Sequence, residues 1–506
     1  VTYDLWADAE RAIATGDGGR ARYQRLASFI HEAVRSGLLR PGDQLPTVRE
    51  LASRLGVSVT TVVSAYSALR EDGAVQGEVG RGTFVRGTEP AQRPDVPVSL
   101  AAPGAPATWR RRALANTEHR LTRAHPDAVD LMRGSSNSEY LPLPVLKRAW
   151  TSVVRSLTVD DIQYPVSTDP EPELVAQLLA LFEKDGIPVD ESDLMVGSST
   201  IQFLSLVTEL LRRDRPGDWP LTVAVEEPGY QAAMDVLERF GCGLVGMATD
   251  EHGVLPRHLR AALEGGAALV VLTPRASNPA GTTWSAERLR ELADVVASHP
   301  DVLVLEDDYF ADGSTSRPGS LLADQRVAHR IVHVRSFAKV IAPDLRIAAA
   351  VVRSTLHSSL AQVKYLTEGW TSRTTQRVLA RVLAADETAE LLGRARAAFA
   401  ERRSAAEELL AEGLQEAGGS VQHAHDGLYT WIRLPPGSDA SMVAEHVARG
   451  GFLVAPGEPF FIRPGAGRFL RLNSGSATAD EIAAASKAIV LAATGADART
   501  GSRLTP

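Results

Sequence analysis

Apolar residues recur along this chain in two registers, helical spacing near the start and short unbroken runs later on. Between residues 23 and 36, Leu26, Phe29, Ile30 and Val34 fall three and four apart, which predicts a helix with one apolar face. It stops at Ser36-Gly37, and Pro41-Gly42-Asp43 reads as a turn. Thr47-Val48-Arg49-Glu50 has the form of a capping box, so a second helix is expected through Leu51 and Leu55, ending at Gly56. Ser58 then caps a third helix to about Asp72, and VQGEVGRGTFV (75 to 85) predicts a hairpin with Arg81 at its tip. Two helices joined by a tight glycine turn predict a helix-turn-helix, with the hairpin as a wing.

From 109 to 490 the pattern changes. Amphipathic stretches alternate with the runs LTVAV (221 to 225), AALVVL (267 to 272), DVLVLE (301 to 306), RIVHV (330 to 334) and RIAAAVV (346 to 352). That alternation predicts a doubly wound α/β domain with a mostly parallel sheet. Between the two regions, residues 88–108 hold five prolines among small residues and no apolar period, the composition of an extended linker. The expected organisation is a DNA-binding module over 20–87, the linker over 88–108 and a large domain over 109–490, with no internal repeat.

Composition narrows the class. Of 506 residues, 44% are hydrophobic and 23% charged, the balance of an ordinary globular protein. A single cysteine, Cys242, excludes an internal disulfide framework. No run reaches the roughly 18 apolar residues of a membrane span, and the first twenty residues are acidic and broken by glycine, so a cytoplasmic protein without a membrane partner is expected. The net charge of −8 hides an asymmetry: residues 20–88 carry ten arginines, no lysine and six acids, a surplus of four positive charges. A basic module on an acidic body points to nucleic acid at one end only.

On the third predicted helix, Val59, Thr60, Thr61 and Ser64 are short and polar or branched, suited to close approach to base edges and thymine methyls. Arg81 would reach phosphate or the minor groove. The string PGDQLPTVRELASRLGVSVTTVVSAYSALREDG, closing with GRGTFV, resembles the winged helix of GntR-family regulators over its full length. That resemblance implies DNA contacts from Arg49, Ser58, Thr60, Thr61 and Arg81, and double-stranded operator DNA as a partner. One departure stands out: the family usually has arginine after the capping serine, where this chain has Val59.

In the large domain, Lys339 of Ser336-Phe337-Ala338-Lys339 falls just past a predicted strand, where α/β sheets bind ligands and where a lysine can bond to an aldehyde cofactor. Asp307-Asp308-Tyr309 closes the DVLVLE strand, and a carboxylate there can hold a pyridinium nitrogen protonated. Tyr309 and Asn278, of Asn278-Pro279-Ala280-Gly281, can bond a phenolic oxygen. Gly197-Ser198-Ser199-Thr200 opens a helix whose free amides suit a phosphate, with Ser336 and Arg346 as further anchors.

Together SFAKVIAPDLR, LTPRASNPAG, VLEDDYF and VEEPGY resemble a fold-type I aminotransferase, and EEPGY with EDDY is similar to the MocR-type subgroup of the GntR family, where such a domain follows the winged helix. The resemblance implies a smaller C-terminal α+β subdomain, pyridoxal 5'-phosphate as cofactor and a homodimer. It implies Lys339 as the cofactor-bonding catalytic lysine, Asp307 at the ring nitrogen, and Asn278 and Tyr309 at the phenolic oxygen. Tyr230 would stack on the ring, Ser198, Ser199, Thr200, Ser336 and Arg346 would hold the phosphate, and Arg471 would grip a ligand carboxylate. No metal is called for. Two departures touch the ligand side. Tyr164, which in dimeric relatives reaches the neighbour's phosphate, is followed by Glu171 where a glycine is expected, and Arg275-Ala276 precede Asn278 where other polar residues are usual.

Two functions remain open on the sequence. One is a pyridoxal-phosphate-dependent transcription regulator sensing the cofactor or a small amino compound. The other is a working class I/II aminotransferase with an accessory DNA-binding domain. A basic, capped helix-turn-helix has no task in transamination, which favours the first; an intact set of catalytic residues keeps the second, and so enzyme status, open.

Overall fold

Thr47 accepts the amide of Glu50 while the Glu50 carboxylate accepts the amide of Thr47, and this reciprocal cap starts the helix Val48–Arg54. Gly56, at φ +61°, turns the chain where a Cβ would be strained. Ser58 then accepts from the Thr61 amide to open the helix Val59–Glu71. With the first helix, Arg22–Arg35, they enclose a core of Leu26, Ile30, Leu51, Leu55, Val62, Tyr66 and Leu69. A three-stranded antiparallel sheet in the order Gln44–Leu45, Gly82–Val85, Val75–Glu78 closes it, and the buried Tyr66 hydroxyl donates to the Pro46 carbonyl at 2.8 Å.

The computed structural model describes residues 22–35, 42–71, 75–78, 82–85, 109–165 and 167–495, with Trp6, Ala9 and Leu39. The chain divides into two units, Val1–Pro97 and Val98–Pro506. The expected linker over 88–108, Arg81 at the hairpin tip and the side chain of Val34 lie outside the described residues, as do nearly all of the first twenty.

The second unit centres on an eight-stranded sheet, ordered Leu194–Gly197, Ala348–Val352, Ile331–Ser336, Leu303–Asp308, Ala267–Leu272, Thr222–Glu227, Gly243–Asp250, Gly253–Val254. Its central pairs are parallel. Ala348–Val352, from the RIAAAVV run, pairs antiparallel with both neighbours. The reason is short covalent reach: the segment 337–347 carries no crossover helix of the kind a parallel return needs, so the chain turns straight back. Helices cover both faces, which is why Ala267–Leu272 is apolar at every position and buried throughout.

Strand alternation sorts the side chains. Val304 and Ile331 belong to the core on one face, Leu305, Val332 and Val334 to the core on the other. The smaller C-terminal part is α+β: an antiparallel sheet ordered Ser420–Gln422, Tyr429–Arg433, Phe469–Asn473, Ala455–Pro456, packed by Ala440–Arg449, Ala479–Thr494 and the long helix Asp386–Gln415. Val129–Asp130 pairs with Phe452–Leu453, which brings the segment that follows, Met132 to Ser136, to the junction of the two parts. Among the described residues no helix is long and apolar enough to cross a membrane, and no group of three or more His, Cys, Asp or Glu is arranged to hold a metal ion.

Leu305 is fully buried at the centre of the large sheet. Leu305→Ala should therefore cost about 2–5 kcal/mol through the lost contacts and the cavity left behind, read as a lower denaturation midpoint for the body; an unchanged midpoint would contradict this packing.

Candidate functional site

A cavity of about 540 Å³ opens at the carboxyl ends of the parallel strands, within the size range of ligand sites. Lys339, Asp307, Tyr309, Asn278, Tyr230, Ser199, Thr200, Ser336 and Arg346 all line it, so nine residues singled out from separate stretches of sequence meet in one place. Lys339 follows the Ile331–Ser336 strand, and its amine donates to the Gly134 carbonyl at 2.6 Å.

Asp307 and Asp308 are adjacent yet chemically opposite, because successive side chains of a strand leave on opposite faces. Asp308 accepts both Arg275 donors at 2.8 Å, and its Oδ2 lies 3.4 Å from His333 Nε2. Burial works against its charge, but Arg275, His333 and Arg335 outweigh burial and hold the carboxyl well below its usual range. His333, whose Nδ1 lies 2.6 Å from Glu306, is likewise disfavoured as a cation by burial and yet pushed up to about 9 by Asp308 and Glu306. Asp307 faces the cavity instead. Among the described residues its carboxylate accepts one hydrogen bond, from the Thr200 hydroxyl at 2.8 Å. Burial pushes it up to about 6, aided by Asp308 and opposed by the Thr200 bond, Lys339 and His333. Glu226, at the end of a neighbouring strand and bonded to the Thr273 amide, is pushed up to about 7 by burial, with Asp307 adding to the effect.

On the other side of the cavity, Ser199 caps the helix Thr200–Asp214, so the first amides of that helix face the opening. Ser336 stands beside it, and Arg346 sits at φ +52°, ψ +53°, a left-handed conformation that costs a non-glycine residue on the order of 1 kcal/mol or more. Among the described residues no carboxylate pairs with the Arg346 guanidinium. Ser198 does not line the cavity: its amide and hydroxyl both donate to Gln202 Oε1, at 2.6 and 3.2 Å, while Gln202 Nε2 donates to Glu368.

The remaining wall depends on Arg471. It lies buried in the strand Phe469–Asn473, behind the residues that line the cavity, and its Nη1 donates to Asn278 Oδ1 at 2.8 Å. Nη2 donates to the Met132 carbonyl at 2.6 Å, the rings of Tyr429 and Phe460 flank the guanidinium, and Nε finds no partner. Burial pulls this cation below its usual range, with Tyr429, Tyr309 and Tyr230 acting the other way. With its oxygen held by Arg471, Asn278 keeps its NH₂ as a donor. The Tyr309 hydroxyl donates to the Ala276 carbonyl at 2.5 Å, a commitment the sequence does not reveal.

Two departures find different explanations from those expected. Arg275 does not flank the ligand side. It is buried beneath the sheet ends, bonded to Asp308 and Asp185, because its neighbour Ala276, at φ +53°, turns the chain so that only Asn278 faces the cavity. Glu171, where the resemblance leads one to expect a glycine, precedes the helix Pro172–Lys184 and pairs with Arg377 at 2.6 Å. Tyr164 is 87% exposed and touches Trp370, away from this chain's own cavity. Sequence reading missed Arg133, Gly134 and Ser135. The signal was the small-residue run after Val129–Asp130: a Cβ on Gly134 would lie 2.5 Å from the Tyr429 hydroxyl and 3.1 Å from Lys339 Nζ.

In the winged unit, Arg49, Ser58 and Thr60 are exposed and Thr61 is half-buried. Ser58 and Thr61 bond each other at 2.8 Å, so both hydroxyls serve the cap.

These residues fit pyridoxal phosphate. A primary amine enters the cavity, a buried carboxylate there has no ion pair among the described residues, and a guanidinium likewise without an acid lies with helix amides on a separate wall: an aldehyde, a ring nitrogen and a phosphate each find complementary chemistry.

Comparison with known proteins agrees. The profile of aminotransferase class I and II matches residues 134–489, and that of bacterial regulatory proteins, gntR family, matches 22–85. The chain is similar to the vitamin B6 salvage pathway transcriptional repressor PtsJ of Salmonella typhimurium, with 32% identity over 86% of this chain and 91% of that protein. It is also similar to the HTH-type pyridoxine biosynthesis transcriptional regulator PdxR of Corynebacterium glutamicum, with 24% identity over 77% and 78%. Among solved structures, an archaeal alanine:glyoxylate aminotransferase shares the fold with a TM-score of 0.68 at 21% identity, covering 76% of this chain and 95% of that one.

Asp307 generates a signed prediction for cofactor-free protein. Its folded pKa of about 6 lies above the ordinary 3.8, so its proton is held longer in the folded state, and stability is lost as pH rises between those values. Asp307→Asn removes the buried charge. It should raise stability at pH 7 by on the order of 1–3 kcal/mol, with the gain vanishing near pH 4. Denaturant melts at both pH values check this; a variant less stable at pH 7 would show that Asp307 is already neutralised.

Proposed function

The chain belongs to the aminotransferase class I and II family, here joined to a gntR-family winged helix as in MocR-type regulators, and from that premise we propose that it is a pyridoxal-phosphate-dependent transcription regulator whose body senses the cofactor, an amino compound, or both. The observation that carries this reading is the presence, in one chain, of a full cofactor cavity and a capped, basic helix-turn-helix.

When bound, pyridoxal phosphate supplies an aldehyde that captures primary amines and a ring that withdraws electrons. Lys339 would hold it covalently. Asp307 would face the ring nitrogen, exchanging an uncompensated buried charge for an ion pair. Asn278 would donate its NH₂ to the phenolic oxygen, with Tyr309 beside it and Tyr230 against the ring. Ser199, Thr200, Ser336 and Arg346 would hold the phosphate, and Ser198 would act at one remove by positioning this turn through Gln202. Arg471, a buried cation without a carboxylate partner, suits the carboxylate of an amino acid.

The assembly we propose is a homodimer on a two-fold operator, in the compartment that holds the DNA. Supporting it, Leu143, Trp150, Val154, Val159, Ile162 and Tyr164 are exposed on neighbouring stretches of one chain, and by the family resemblance Tyr164 would reach a partner's cavity. The intact cavity also supports the second reading, a working aminotransferase. The two differ in what ligand does to DNA binding.

Purified protein should absorb in the near-visible and lose that band on Lys339→Ala. Affinity for operator DNA should change about five- to hundredfold on adding cofactor or the right amine, a coupling of about 1–3 kcal/mol, and Lys339→Ala should lose that response. Equal affinity in all states, together with measurable transamination, would favour the enzyme.

A further inference from the structure

The helix Val59–Glu71 turns Val62, Ala65, Tyr66 and Leu69 into the core of the winged unit. Its opposite side carries Val59, 49% exposed, and Val63, 46% exposed, the only large hydrophobic side chains exposed among the described residues of that unit. Four residues apart, they share one face and lie about 5–6 Å from each other at Cβ. They stand at the N-terminal end of the second helix of a helix-turn-helix, the part that meets base edges in the major groove. Single exposed valines need no explanation; a pair on this face, beside exposed Thr60, does. The hydroxyls of Ser58 and Thr61 are already used on each other.

A valine has no donor or acceptor, so it cannot distinguish guanine, adenine or cytosine by hydrogen bonding. The one apolar group on a major-groove edge is the 5-methyl of thymine. Exposed Arg49, Arg54 and Arg70 on the same two helices give the surrounding surface the charge that suits a polyanion rather than a second copy of an acidic chain. We propose that Val59 and Val63 are specificity-determining residues that read thymine methyls, so that each operator half-site places two thymines beneath this helix, roughly one or two base steps apart. This rests on the reading of the protein as a DNA-binding regulator, and it replaces the hydroxyls of Ser58 and Thr61 with these two side chains as the base-reading groups.

The test uses full-length protein with pyridoxal phosphate present and duplexes that it selects from a random-sequence library. Each thymine is replaced in turn by deoxyuridine, which removes the methyl and changes nothing else. Two positions per half-site should weaken binding about three- to fivefold each, as expected for one buried methyl. Val59→Ala and Val63→Ala should each become indifferent to uracil at one of them. Alanine favours a helix more than valine, so both variants keep the fold, and Val59→Thr, which keeps the shape but adds a hydroxyl, should weaken the same contact. Wild-type protein indifferent to every uracil, or alanine variants that keep its sensitivity, would overturn the proposal while leaving DNA binding intact. A change in self-association rather than DNA binding would assign the pair to a protein contact and overturn it too. Failure to select any sequence would remove the regulator reading itself.

Discussion

A carboxylate buried against a cavity without a cation of its own is the constraint on which the body of this protein depends. Asp307 can stay there because everything one residue away is neutralised. On the opposite face of the sheet Glu306, Asp308, Asp185 and Asp312 meet His333, Arg275, Arg335 and Arg317, four acids against four cations. Such a network yields little net stability, since desolvation consumes most of the attraction. What it confers is position. The ends of Leu303–Asp308 and Ile331–Ser336 are tied through Asp308 and His333, and to the helix Pro172–Lys184 through the adjoining Asp185, so Asp307 and Lys339 emerge from a rigid edge.

The same division explains where strain is tolerated. Among the described residues two non-glycine positions have positive φ: Arg346, which lines the cavity, and Ala276, two residues before the cavity-lining Asn278. Ala276 directs its carbonyl to Tyr309, and Asn278, two residues on, accepts from Arg471; Arg346 brings to the wall a guanidinium that no acid among the described residues pairs with. Conformations that cost energy locally persist where the surrounding structure over-determines them.

Much of this was legible in the sequence because it is local. The Thr47–Glu50 cap, the Gly56 turn and the apolar runs are each set by residues a few positions apart, and the cavity residues announce themselves by lying at strand ends. What escaped depends on orientation. Which of Asp307 and Asp308 faces the cavity follows from strand parity, but that Arg275 belongs to Asp308 follows only from the bend at Ala276. Ser198 looks like a phosphate ligand until Gln202, one helical turn on, takes both its donors. Gly134 is invisible because its contribution is an absent side chain, meaningful only once Lys339 and Tyr429 are seen beside it. Ser58 and Thr61 resemble base readers for the reason that they cap: short hydroxyl side chains serve both ends.

The charge distribution then bears on how such a protein can choose among DNA sequences. Residues 20–88 hold a surplus of only four positive charges, and the rest of the chain twelve net negative ones. Non-specific affinity scales with the phosphates a protein neutralises, so in the proposed regulator the basic module, and not the acidic body, would supply the grip on phosphate. Discrimination is a ratio, and a low non-specific term raises it even where each base contact is modest. On the proposed reading, a helix that carries Val59 after its capping serine would move in the same direction, giving up a charge-based contact that any sequence satisfies for an apolar one that only some can. The proposed coupling between ligand and DNA, about 1–3 kcal/mol, would have the same scale as a few such contacts. On that reading, a ligand-driven change in the body of that size would be enough to weaken the module's hold on an operator.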